Sequence, residues 1–162
     1  PMTRDVVLVL ATVSTGLSAG VFLLYAHTVM PGLRRTDDRT FVGAFQALDR
    51  AIINPVFLLG SFIGAPVLLA VAALLSLSAP WRSALGWLLA ALFLHLVVVA
   101  ITFAVHLPLN DRLKAAGAPA TIDVATARAE FSEARWVRAN NVRVVLDVAA
   151  FVASCVALLA GR

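Results

Sequence analysis

The stretch WRSALGWLLAALFLHLVVVAITFAVHL, Trp81–Leu107, decides how this chain is read. Apart from Arg82 at its edge, it contains no Lys, Arg, Asp or Glu. As a helix it reaches about 40 Å at about 1.5 Å per residue, more than the roughly 30 Å of hydrocarbon in a bilayer. Three other runs have the same character: about Val6 to Val29, about Asn54 to Ser78 and about Asn141 to Ala160. Inside hydrocarbon a backbone must satisfy its own polar groups, so each run is expected to be a helix. Prolines mark the edges of these runs. Pro31 follows the first, Pro55 opens the second, Pro80 precedes the third, Pro108 closes it, and Pro66 lies inside the second. The apolar core of a cleaved leader is only about 7–15 residues long. The first run is longer than that and continues into Tyr25 and His27, so it reads as a span.

Composition agrees. Of 162 residues, 61% are hydrophobic and 14% charged, and the mean hydropathy is +0.93. A soluble domain averages about 45–50% apolar and about 25% charged residues, so a soluble globule and a disordered chain are both excluded. Residues 1–162 read as one all-α domain, a transmembrane four-helix bundle. The net charge of +4 would suggest nucleic acid in a soluble chain. Here the basic residues sit between apolar runs, where they set orientation in a lipid bilayer, and no nucleic-acid partner is expected. Cys155 stands alone, which excludes an internal disulfide and any Cys-x-x-Cys site.

Between the first and second spans, Phe41, Phe45, Leu48 and Ile52 recur at helical spacing, with Gln46, Asp49 and Arg50 on other sides. This predicts a short interfacial helix over about residues 41–52. A tight turn, Ala79–Arg82, joins spans two and three, and an Ala/Gly/Pro-rich loop runs from Asn110 to about Ile122. From Ala125 the helical pattern continues without a break into span four, so the last helix is expected to extend beyond the bilayer. Loops one and three and their helix ends hold ten of the thirteen Lys and Arg, against Arg4, Arg82 and Arg162 on the side of the termini. That bias predicts loops one and three in the cytoplasm and both termini on the opposite side.

Ionisable and amide groups in the spans mark where function is expected, because a charge at mid-membrane costs roughly 2.5–3.5 kcal/mol or more. Thr12, Gly16, Gly20, Leu23 and His27 form a stripe on span one. His95, Thr102 and His106 share a face of span three. Trp136, Asn140, Arg143 and Asp147 recur along the last helix, where Arg143 and Asp147 can pair. Helix direction brings Tyr25, His27, Asn54, His106, Asn110, Asn140 and Arg143 to one end of the bundle, as a pocket with apolar walls. Gly16-x-x-x-Gly20 and Gly60-x-x-x-Gly64 suit close helix packing, within the chain or in a homo-oligomer.

Four stretches carry a resemblance: Tyr25–Leu33 (YAHTVMPGL), Phe45–Phe57 (FQALDRAIINPVF), Leu107–Leu113 (LPLNDRL) and Trp136–Arg143 (WVRANNVR). They resemble a family of small four-helix membrane proteins that includes the fungal anthrone oxygenases. That pattern often has Asn before Leu-Pro-Leu-Asn and an aromatic before the last Asn, where this chain has His106 and Ala139. The resemblance implies oxygenation of an anthrone to an anthraquinone by O2, on a hydrophobic aromatic substrate, without a flavin, haem or metal. Under that reading His27 or His106 is the base that takes the substrate proton. Arg143, Asn140 and Asn110 hold the enolate oxygen. Trp136, Tyr25 and Phe57 wall the rings, with Asn54 beside them.

Two other readings stay open at this level. One is a metal- or haem-binding oxidoreductase using His27 and His106, since His95 and His106 are about 16 Å apart along one helix and cannot share a metal. The other is a non-catalytic lipid- or quinone-binding module, or an accessory membrane subunit.

Overall fold

The computed structural model describes residues 2–78 and 82–160. The expected turn at Pro80 and Trp81, and Arg162, lie outside the described residues. Four helices are long and apolar enough to cross a membrane: Met2–Arg34, Pro55–Leu75, Arg82–Ala115 and Val124–Ala160. The protein is thus a multi-pass integral membrane protein. The first span packs on the second, the second on the third, and the last helix closes the ring against both the third and the first. A short helix, Asp38–Ile52, lies over the loop end, against Val124–Phe131 and the end of the third helix.

At the terminal end the helices meet through small side chains. Ala11, Ala72, Ala84, Ala91, Ala150 and Ala157 are fully buried beside Leu8, Leu69 and Leu88. Association in lipid has no hydrophobic term between helices to rely on, so close van der Waals approach supplies it. At the loop end the seam widens into a second core of large side chains, Met30, Phe41, Phe45, Leu113, Phe131 and Trp136. Val9, Leu17, Phe93 and Val145 face outward, as lipid-facing side chains do.

Two helices run further than their prolines suggested. The first continues through Pro31 to Arg34, and the third through Pro108 to Ala115. Each does so by widening one turn just before the proline. Met30 N–H bonds the Tyr25 carbonyl, and Leu107 N–H bonds the Thr102 carbonyl, five residues back instead of four. A third wide turn precedes Pro66, where Ile63 N–H bonds the Leu58 carbonyl at 2.8 Å. A wide turn eases the clash between the proline ring and the preceding carbonyls without ending the helix.

The stripe read on span one is also corrected, already within the regular helix before the wide turn. The buried face runs through Leu8, Ala11, Thr15, Ser18, Ala19 and Phe22, whereas Gly20, Leu23 and His27 are exposed. Of the glycines read as packing sites, Gly16 lies against the Phe151 ring on the last helix. Gly64 has a different role: a Cβ there would collide with the Leu59 carbonyl of its own widened helix.

The Asp38–Ile52 helix buries Phe41, Val42, Phe45, Gln46 and Asp49 and leaves Leu48 exposed. Its inner face is therefore rotated from the expected one, because Gln46 and Asp49 find partners inside. Gln46 Nε2 donates to the carbonyls of Leu113 (2.8 Å) and Gly117 (3.0 Å), which close the third helix. Gly117 sits at φ +108, the left-handed conformation suited to a helix stop. The last helix is not continuous from Ala125. Val124–Phe131 and Glu133–Ala160 are separated at Ser132, φ 55 and ψ 55, while Phe131 stays locked among Phe41 and Phe45. Asp37 and Asp123 cap their helices. Hydrogen bonds from Thr40 and Thr126 hold the two carboxyls below their ordinary range, so both caps persist well into acid and are lost as pH falls through the lowered values.

Gly64→Ala is expected to lower stability by about 2 kcal/mol or more, since backbone must move. Gly20→Ala, whose Cβ would meet nothing within 4 Å, is expected not to lower it. Thermal unfolding of both variants in non-ionic micelles checks the contrast.

Candidate functional site

A cavity opens at the loop end, among the first three helices, the overlying helix and the last helix. Its volume is about 690 Å³, open mouth included. Tyr25, Leu58, Phe62, Thr102 and His106 line it, and all five belong to the three wide turns. Phe22, Phe45, Phe57 and Trp136 add aromatic walls. Phe57 and Phe62 stack at 5.7 Å, and Phe22 stands edge-on to both. Such a mostly apolar hollow with a few polar groups is the usual form of a small-molecule site.

Two of those polar groups stand out. His106 is 1% exposed, and neither ring nitrogen has a hydrogen-bond partner among the described residues. Its ring meets the Trp136 indole edge-on at 4.9 Å. Arg143 is 5% exposed. Its Nη1 donates to Thr102 Oγ1 at 3.0 Å and its Nη2 to Asn140 Oδ1 at 2.8 Å, while Nε remains unpartnered. The guanidinium carbon lies 4.2 Å from the centre of the Phe22 ring and 5.7 Å from that of Trp136. These ring faces attract a cation and replace part of its lost hydration.

Arg143 does not pair with Asp147 as its spacing suggested. Asp147 Oδ1 instead lies 2.6 Å from His95 Nδ1, both residues fully buried. The other nitrogen, His95 Nε2, lies 3.0 Å from the Phe62 carbonyl. The cause lies in span two. In a helix the Phe62 carbonyl would accept from residue 66, but Pro66 has no N–H. His95 supplies the missing donor, and Asp147 orients His95 from the far side. Since a carbonyl can only accept, Nε2 carries a hydrogen, and one proton lies between Nδ1 and the carboxylate.

A chain of polar contacts leads from the cavity wall to the loop end. Trp136 Nε1 donates to Asn110 Oδ1 (2.9 Å), and Asn110 Nδ2 donates to Asp49 Oδ1 (2.6 Å). Lys114 Nζ stands 2.7 Å from Asp49 Oδ2, an ion pair rather than an aligned hydrogen bond, and 3.0 Å from Asp111.

Of the residues expected at the site, Tyr25, Phe57, His106, Asn110, Trp136 and Arg143 all line this one cavity. Asn140 lies behind it, holding Arg143 and donating to the Phe22 carbonyl at 3.1 Å. Asn54 caps the second span, accepting from Phe57 N–H at 3.0 Å, and is not among the lining residues. His27 is exposed and bonded to Thr28, apart from the cavity. The imidazole pair needed for a metal or haem is therefore not assembled. Among the described residues no three His, Cys, Asp or Glu gather where they could hold a metal ion. Asp49 was not expected as a lining residue, although its spacing of four from Phe45 and eight from Phe41 puts it on their face. Phe22, Phe62 and Thr102 were likewise unassigned, although Thr102 shares the face of span three that carries His95 and His106.

The family model described as anthrone oxygenase matches residues 55–153, more than half of the chain. No curated protein and no solved structure matches it.

Replacing His95 by Leu leaves Asp147 buried without its partner and is expected to cost about 3–5 kcal/mol. Replacing both by Leu is expected to recover about 1 kcal/mol or more of that loss. Unfolding of the two single variants and the double variant in micelles measures the coupling.

Proposed function

The chain belongs to the anthrone oxygenase family, and from that premise we propose that it oxidises the methylene of a hydrophobic polycyclic phenol of the anthrone type with O2, with no external reductant. The observation that carries the reading is the pairing, inside one apolar cavity, of an imidazole and a guanidinium that both keep unpartnered nitrogens. An anthrone methylene is acidified by two aryl rings and a conjugated carbonyl. Neutral His106 takes one of its protons, and the electron pair moves to the carbonyl oxygen as an extended enolate. Arg143 holds that oxygen through its spare Nε–H, its position fixed by Thr102 and Asn140. Phe57, Phe62, Trp136 and Tyr25 flank the rings and exclude water.

The enolate then gives one electron to O2, and the radical pair joins to form a C–O bond. The resulting peroxide takes a proton and becomes a hydroperoxide. Loss of the second methylene proton breaks the O–O bond, forms the new carbonyl and releases water. The methylene loses four electrons and O2 gains four, one oxygen ending in the quinone and the other in water. The protein supplies a base, an oxyanion partner and a dry slot, which electrostatic preorganisation makes effective in a low dielectric.

Oxygen uptake by the purified protein with an anthrone is expected to match quinone formation one for one. His106→Ala and Arg143→Gln are each expected to lower turnover by about tenfold or more, and Arg143→Lys by less than Arg143→Gln. Thermal midpoints of the variants separate lost chemistry from lost fold. Full rates in both His106→Ala and Arg143→Gln would remove the assignment.

A further inference from the structure

We propose that this cavity is a charge-selective site. It takes a flat aromatic ligand as its monoanion (a phenolate, enolate or carboxylate) and binds the neutral molecule of the same shape more weakly. The inference rests on the same cavity as the oxygenase reading, but it concerns the charge of the bound molecule and not its oxidation.

Apart from Arg143, the charged groups around the cavity have counter-charges of their own. Asp49 lines the cavity, but Lys114 stands 2.7 Å from one of its oxygens and Asn110 donates to the other at 2.6 Å; the second carboxylate on Lys114, Asp111 at 3.0 Å, is exposed to solvent and not among the lining residues. His95 and Asp147 lie beneath the Phe62 wall and share one proton between Nδ1 and Oδ1, with Nε2 committed as donor to the Phe62 carbonyl. Whichever side that proton occupies, the pair is neutral as a unit. Asp147 therefore cannot serve as the counter-charge of Arg143 without giving up the proton that its 2.6 Å contact requires. Tyr25 and Trp136 bring no charge. Arg143 is left as the one cation facing the cavity with no carboxylate at ion-pair distance among the described residues. Its two bonded nitrogens meet a hydroxyl and an amide, both neutral, and its Nε is unpartnered. A guanidinium held in an apolar hollow on neutral acceptors attracts an anion strongly, because little water competes for it.

This has a consequence for turnover. An enolate satisfies Arg143, whereas the quinone carbonyl that replaces it brings no charge. Oxidation thus removes the charge by which Arg143 held the enolate, and the neutral product leaves.

The test uses the full chain in non-ionic micelles, with anthracene carboxylate and the corresponding anthracene methanol as fluorescent probes, without any turnover. Affinities are referred to each probe's concentration in the micelle phase, at a pH where the carboxylate is ionised. The wild-type protein is expected to bind the carboxylate about tenfold or more tighter than the alcohol, a difference of about 1.4 kcal/mol. Folded Arg143→Gln is expected to bring the two within about twofold. Equal or tighter binding of the alcohol by wild-type protein overturns the proposal. A carboxylate preference together with no oxygen uptake from any anthrone would uphold the anion site and overturn the oxygenase reading.

Discussion

Everything at the loop end depends on a requirement of hydrocarbon: a helix that meets a proline there has no water to satisfy the groups the proline disrupts. Pro31, Pro66 and Pro108 raise this difficulty in three neighbouring helices, and each is preceded by a turn with five-residue hydrogen bonding. One extra residue in a turn rotates everything beyond it by about 100°. In span three Thr102 and His106, at the two ends of the wide turn, are both buried. In span one the wide turn accompanies the outward turn of His27. Wide turns of this kind recur at functional sites in helical proteins, because they break the even packing that would otherwise fill the interior. Here three of them surround one hollow.

The second organising element is the way charge is held in that hollow. A buried guanidinium without a carboxylate is costly in lipid. Its cost is offset in small pieces: the Phe22 face at 4.2 Å, the Thr102 hydroxyl and the Asn140 amide. None of these neutralises it. Asp147, one turn further along the same helix, could have done so, but it is tied to His95 instead. The arrangement therefore keeps a positive charge in reserve beside an imidazole whose nitrogens are equally uncommitted.

The four spans were legible because apolar length is a coarse signal that survives local irregularity. Of the seven residues that alternating helix direction was expected to gather, Tyr25, His106, Asn110 and Arg143 line the cavity, while Asn140 lies behind it, Asn54 caps span two and His27 is exposed. Finer features were hidden. The stripe ending in His27 followed the small residues of span one, whereas Gly20 and Leu23 already face outward in the regular helix before the wide turn at Tyr25–Val29. Pro108 was read as an end, although the helix passes through it and carries Asn110 and Lys114 inward. Asp49 was assigned to a polar face, since a carboxylate facing a core looks wrong until Lys114 and Asn110 are placed beside it. Arg143 and Asp147 were paired by spacing, which sees one helix at a time and could not weigh the competing imidazole on another.

The donor that His95 lends to the Phe62 carbonyl also ties three positions into one hereditary unit. A residue with an N–H at 66 would reclaim that carbonyl and leave the imidazole with a surplus hydrogen. An apolar residue at 95 would strand both the carbonyl and the acid at 147, and loss of the acid would leave the imidazole unanchored. Each single change carries a penalty that the other two can relieve, so drift at any one of them is epistatic on the rest. The proline that looks like a flaw in span two has become a condition for tolerating a histidine and an aspartate in the middle of a membrane.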